Sequence, residues 1–85
     1  MKMEKDFEEK TALVTGGSRG IGHAVCLDLA KGGARVAVNY TSNREAAEET
    51  VQTIIQNGGE ASTFKADVSD PEEVQKMVAE TKKTF

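Results

Sequence analysis

The sequence predicts an α/β architecture: a parallel sheet in spatial order 3-2-1 with helices on both faces. Three observations lead to it. A unit of short apolar run, turn and amphipathic helix recurs three times along 85 residues. Strand and helix alternate strictly, which calls for parallel pairing through right-handed crossovers. The first strand runs straight into a glycine-rich loop that opens a helix, Thr15-Gly16-Gly17-Ser18-Arg19-Gly20-Ile21-Gly22.

The first strand is Thr11-Ala12-Leu13-Val14-Thr15. It is apolar through its middle rather than alternating, as a strand covered on both faces should be. The first helix spans about Gly20 to Lys31 and stops at Gly32-Gly33, a glycine ending of a common kind. Its expected buried row is Ile21, Val25 and Leu29, with Cys26 and Ala30 beside it. The second strand is Arg35 to Tyr40. Ser42-Asn43-Arg44-Glu45 then reads as a capping box, serine at the cap and glutamate three residues on. The second helix should bury Ala47, Val51, Ile54 and Ile55 and end at Asn57-Gly58-Gly59. The third strand, about Ala61 to Ala66, carries Ser62, Thr63 and Lys65, a polar content suited to a sheet edge. Asp70-Pro71-Glu72-Glu73 opens the last helix with an aspartate cap and a first-turn proline. Val74, Met77, Val78 and Phe85 are its expected inner side.

Bulk composition excludes several classes of function. Eleven basic and fourteen acidic residues leave a net charge of −3, the wrong sign for a nucleic-acid footprint. No apolar run approaches the roughly 18 residues of a membrane span. Met1 to Lys10 is charged with both signs and has no apolar centre, so it reads as a lead-in over residues 1–9 and not as a signal peptide. The single cysteine, Cys26, allows no internal disulfide and reads as a small core residue. A cytoplasmic protein acting on a small molecule, with no nucleic acid or membrane partner, is the expectation.

The glycine loop carries the chemistry. A dinucleotide's pyrophosphate requires a tight turn off the strand, close backbone approach and free N–H groups at a helix N-terminus. Gly16, Gly20 and Gly22 supply these in turn, the last by allowing the helix to pack close to the sheet. A glycine-rich loop alone is often only a flexible turn; here the strand–loop–helix setting argues against that. No Gly-Lys-Ser/Thr follows, so a P-loop is excluded. The fold is then half of a doubly wound, three-layer Rossmann-type domain over residues 10–85.

The glycines are separated by four and then two positions, the pattern T-G-x-x-x-G-x-G. With Leu13-Val14-Thr15-Gly16 before it, Ser18-Arg19-Gly20-Ile21-Gly22 within it, and Ala66-Asp67-Val68-Ser69-Asp70 after the third strand, the chain resembles the short-chain dehydrogenase/reductase family. Within that family it is most similar to 3-oxoacyl-[acyl-carrier-protein] reductases, enzymes of fatty acid biosynthesis. The resemblance covers about Glu9 to Phe85. It implies a complete oxidoreductase that reduces a 3-oxoacyl thioester and assembles as a homotetramer.

The expected cofactor is NADP(H). NAD enzymes of this fold place an acid at the end of the second strand. Here the strand ends Asn39-Tyr40-Thr41-Ser42, neutral groups able to donate hydrogen bonds to a 2′-phosphate. The resemblance implies that Arg19 contacts that phosphate, that the Asp67 carboxylate bonds the adenine amino group, and that Val68 packs on the ring. Arg44 is a weaker phosphate candidate, read more readily as an exposed first-turn helix residue. The cofactor set is therefore Gly16, Ser18, Arg19, Gly20, Ile21, Gly22, Asn39, Tyr40, Thr41, Asp67 and Val68. His23 reads as a solvated helix residue, and Glu45, Glu48 and Glu49 as a solvated face.

The family's catalytic serine and Y-x-x-x-K pair are absent. Tyr40, the single tyrosine, has Arg44 and not lysine four positions on. No residue of this chain is assigned to hydride transfer. Two readings follow: the N-terminal segment of a complete reductase, or a stand-alone nucleotide-binding module without catalysis. The sequence stops within a helical pattern at Lys82-Lys83-Thr84-Phe85, which favours the first.

Overall fold

The structure, a computed structural model, describes residues 9–16 and 20–85. Its elements are β1 (Thr11–Val14), α1 (Gly20–Lys31), β2 (Arg35–Tyr40), α2 (Arg44–Gln56), β3 (Glu60–Lys65) and α3 (Pro71–Thr84). β2 is central and pairs in parallel with β1 on one side and β3 on the other. That is the 3-2-1 order the alternation predicts. β2 is also the most deeply buried strand, because Val36-Ala37-Val38 is apolar at successive positions and serves both faces.

Strand parity divides the core. Val36, Val38 and Tyr40 point to one face, where Cys26 of α1 and Ala47, Val51 and Ile54 of α2 cover them. Ala37 points to the other, with Phe64, Ala66 and Met77 of α3, and Leu13 and Phe85 at the margin. Helices thus lie on both sides of the sheet. Among the described residues β1 is an edge, and its Ala12, Leu13 and Val14 are half-buried.

Four helix details differ from the sequence reading. In α1 Cys26 is the buried residue, while Ile21 and Val25 face outward. Successive helical residues turn by about 100°, so the row through Cys26 and Ala30 lies away from the one through Ile21 and Val25. The sheet selected the former. In α2 the buried stripe is Ala47, Thr50, Val51 and Ile54, and Ile55 is exposed. In α3 it is Met77 and Thr81, and Val78 is exposed. Both threonines are tolerated inside because their hydroxyls donate to carbonyls one turn back, Ala46 at 3.2 Å and Met77 at 2.8 Å. Finally, α2 is capped by Asn43 and not by Ser42: the Asn43 side-chain oxygen accepts from the Ala46 N–H at 3.1 Å. Asparagine caps as well as serine, and here it stands immediately before the first helical residue. Asp70 caps α3 as expected, accepting from the Glu72 N–H at 2.9 Å.

α2 ends in a paired carbonyl closure, Gly59 N–H to Ile54 O and Gly58 N–H to Ile55 O. That turn brings Gly59 against the core. A Cβ there would lie 2.7 Å from the Ile54 methyl Cγ2 and 3.3 Å from the Ile54 carbonyl. Ile54 is itself fully buried and cannot swing away. Gly59→Ala is expected to destabilise the fold by about 1–3 kcal/mol, the cost of overpacking. A thermal or urea melt of the full-length protein checks this; an unchanged midpoint would mean that α2 shifts freely.

Candidate cofactor-binding site

The register places three chain segments at one edge of the sheet. Val14 is opposite Val38, and Tyr40 is opposite Lys65. The ladder continues one step further, with the Ala66 N–H donating to Tyr40 O at 3.1 Å. Gly16 after β1, Thr41 after β2 and Asp67 after β3 therefore leave the sheet at its carboxyl end together. This is where ligands bind in open α/β sheets.

α1 starts at this edge. The first N–H groups of a helix have no intrahelical partner, and its positive dipole end favours anions. No acidic side chain stands in the first turn to compete. Gly16 and Gly20 adopt left-handed backbone, with φ of 66° and 62°, a conformation costly for a side chain. A Cβ on either would meet no atom within 4 Å. Among the described residues, conformation and not internal crowding thus calls for glycine here. Gly22 is half-buried in the first turn, and Ile21 beside it is 84% exposed. Ser18 and Arg19 lie outside the described residues.

The side of the edge expected to meet adenosine is built from the ends of β2 and β3. Thr41 and Ser42 are exposed, and because Asn43 caps α2 the Ser42 hydroxyl is not held as a cap. Tyr40 is buried in the core beneath α1 and α2. Asn39 departs from the sequence reading. It is buried, and its amide donates inward to Phe64 O and Ala66 O, each at 3.2 Å, with the Met77 sulfur at 3.3 Å. Its parity points it toward α3, so its donor binds the end of β3 in place rather than facing the edge. Arg44 is exposed and paired with Glu48 at 3.0 Å, an (i, i+4) contact on the surface of α2.

Asp67 is exposed and organised by its own turn. One carboxylate oxygen accepts from the Ser69 N–H at 2.9 Å and the Ser69 hydroxyl at 2.7 Å. Those bonds hold its pKa below the ordinary carboxylate value and keep it an acceptor. Its backbone N–H donates to Glu73 of α3 at 2.9 Å. Val68, next in the turn, is exposed.

Two remaining residues are placed. Cys26 is fully buried, and desolvation pushes its thiol up to about 11, an inert core group. His23 is not simply solvated: it is half-buried, with Nδ1 2.7 Å from Thr50 Oγ1 of α2. The helical pattern of α1 alone carries no sign of that contact. No helix among the described residues is long and apolar enough to cross a membrane.

Known proteins share this arrangement. Residues 10–85 match the short chain dehydrogenase family. The chain is 51% identical over 79 residues to versicolorin reductase 1 of Aspergillus parasiticus, covering 93% of this chain and 30% of that protein. It superposes on a dehydrogenase/reductase from Sinorhizobium meliloti 1021 with a TM-score of 0.91 at 41% identity, over 96% of this chain and 32% of that one. Angucycline C-6 ketoreductase LanV, solved with bound NADP, matches with a TM-score of 0.81 at 43% identity, over 87% of this chain and 29% of that one. The chain thus spans about a third of the length of each of these three proteins. From its glycine turn, its sheet order and these matches, the chain belongs to the short chain dehydrogenase family of NAD(P)-binding oxidoreductases.

Proposed function

We propose that the chain is the NADP(H)-binding N-terminal part of a reductase. The observation that carries this reading is the end of β2, Tyr40-Thr41-Ser42, which lies beside the glycine turn and holds no carboxylate. An acid there would repel a 2′-phosphate; Thr41 and Ser42 instead offer exposed hydroxyl donors. The N–H groups of Gly20, Ile21 and Gly22 would hold the pyrophosphate, with Gly16 turning the chain beneath it and Ser18 beside it. Arg19 would pair with the 2′-phosphate, and Asp67 and Val68 would receive the adenine. Tyr40 would close the floor of the adenosine side, and Asn39 would hold the β3 end in position. When bound, the dinucleotide supplies or accepts a hydride; the residues of this chain bind and orient it.

The complete enzyme is proposed to reduce the ketone of a 3-oxoacyl thioester, on the resemblance of the glycine loop and the Ala66-Asp67-Val68 turn. A second reading, a fused-ring aromatic ketone of polyketide type, is favoured by the versicolorin reductase and angucycline ketoreductase among the similar proteins. Titration of the complete protein with NADPH and NADH tests the cofactor: NADPH should bind at least about tenfold tighter, the value of one charged hydrogen bond. Equal affinities would remove the 2′-phosphate assignment. NADPH oxidation with an acetoacetyl thioester against a naphthalenone then decides between the two substrate classes.

A further inference from the structure

We propose that His23 is a positioning residue for the cofactor, tying the first turn of α1 to Thr50 of α2 so that the two halves of the site move as one. This rests on the dinucleotide reading above. The first turn of α1 presents the free N–H groups, yet it has little apolar anchorage. Ile21 faces outward, and the fully buried residue of the helix, Cys26, comes a turn later. Helix ends held this loosely fray. His23 fastens the turn before Cys26 is reached, with Nδ1 2.7 Å from Thr50 Oγ1.

The partner is well chosen for that task. Thr50 is fully buried, and its hydroxyl lies 3.2 Å from Ala46 O, to which it donates. With that hydroxyl hydrogen directed at Ala46 O, the contact takes its hydrogen from the Nδ1-protonated tautomer of His23 as part of this proposal. α2 begins at the Asn43 cap, two residues after Thr41 at the end of β2. Behind the bond, Tyr40, Ala47 and Val51 pack with Cys26 in one cluster. The His23–Thr50 bond therefore links the pyrophosphate turn to the element that carries the adenosine-side hydroxyls.

The test is fluorescence titration of the complete protein with NADPH and, separately, NADH, in His23→Leu, His23→Asn, Thr50→Val and Thr50→Ser, each checked for folding by circular dichroism. His23→Leu and Thr50→Val should each weaken both dinucleotides about 3- to 10-fold, the value of one hydrogen bond. The double variant should lose little more than either single one, because both remove the same contact. His23→Asn places an amide donor near the Nδ1 position and should restore most of the affinity; Thr50→Ser keeps the hydroxyl and should bind as wild type. Folded His23→Leu binding at wild-type strength would overturn the proposal, as would fully additive losses, no rescue by asparagine, or a loss confined to NADPH. Wild-type protein binding neither dinucleotide would overturn the underlying cofactor reading and this role with it.

Discussion

Arg19→Ala is expected to weaken NADPH binding roughly 10- to 150-fold while leaving NADH nearly unchanged, corresponding to the 1.5–3 kcal/mol of a hydrogen bond to a charged group. In the chain, residue 19 immediately precedes Gly20, the first residue of α1. A guanidinium there can grip a phosphate through two N–H groups, which a lysine cannot do in the same plane. Arg19→Lys should accordingly retain only part of the preference. The effect should also shrink at high salt, because dissolved ions screen a pair of opposite charges. Equal losses for both dinucleotides would show that Arg19 shapes the loop rather than reading the 2′-phosphate.

Asn39→Leu should lower the stability of the fold by about 1–3 kcal/mol, because it leaves carbonyls near the end of β3 buried without their donor. Asn39 is one of the largest fully buried side chains, and its amide reaches Phe64 O and Ala66 O at 3.2 Å each. Leucine keeps the number of side-chain heavy atoms and the branching, so the change removes the donor without opening a cavity. Chemical denaturation of the full-length protein, followed by NADPH titration of the folded fraction, separates two roles. A reduced midpoint with an affinity within about threefold of wild type fits a side chain that faces α3; the allowance is half a decade of affinity. A large drop in NADPH affinity at unchanged stability would return Asn39 to direct contact with the cofactor.

Much of this protein was legible in the order of its residues. Strand–helix alternation, the glycine stops after Lys31 and Gln56, the Asp70 cap and the spacing of Gly16, Gly20 and Gly22 are local signals, each set by backbone chemistry within a few residues. They determined the element order, the parallel sheet and the edge at which a dinucleotide would bind. The rotation of each helix was not legible. α1 offers two apolar rows, and contact with β2 and α2 chose the one through Cys26, leaving Ile21 and Val25 outside. Thr50 and Thr81 are not among the apolar residues expected in the buried stripes, yet bonds to their own helix backbone let them pack inside. The inward turn of Asn39 and the His23–Thr50 bond join residues 25 to 38 positions apart. No periodicity encodes such pairs: they exist only once the sheet has brought α3 beneath β2 and α2 beside α1.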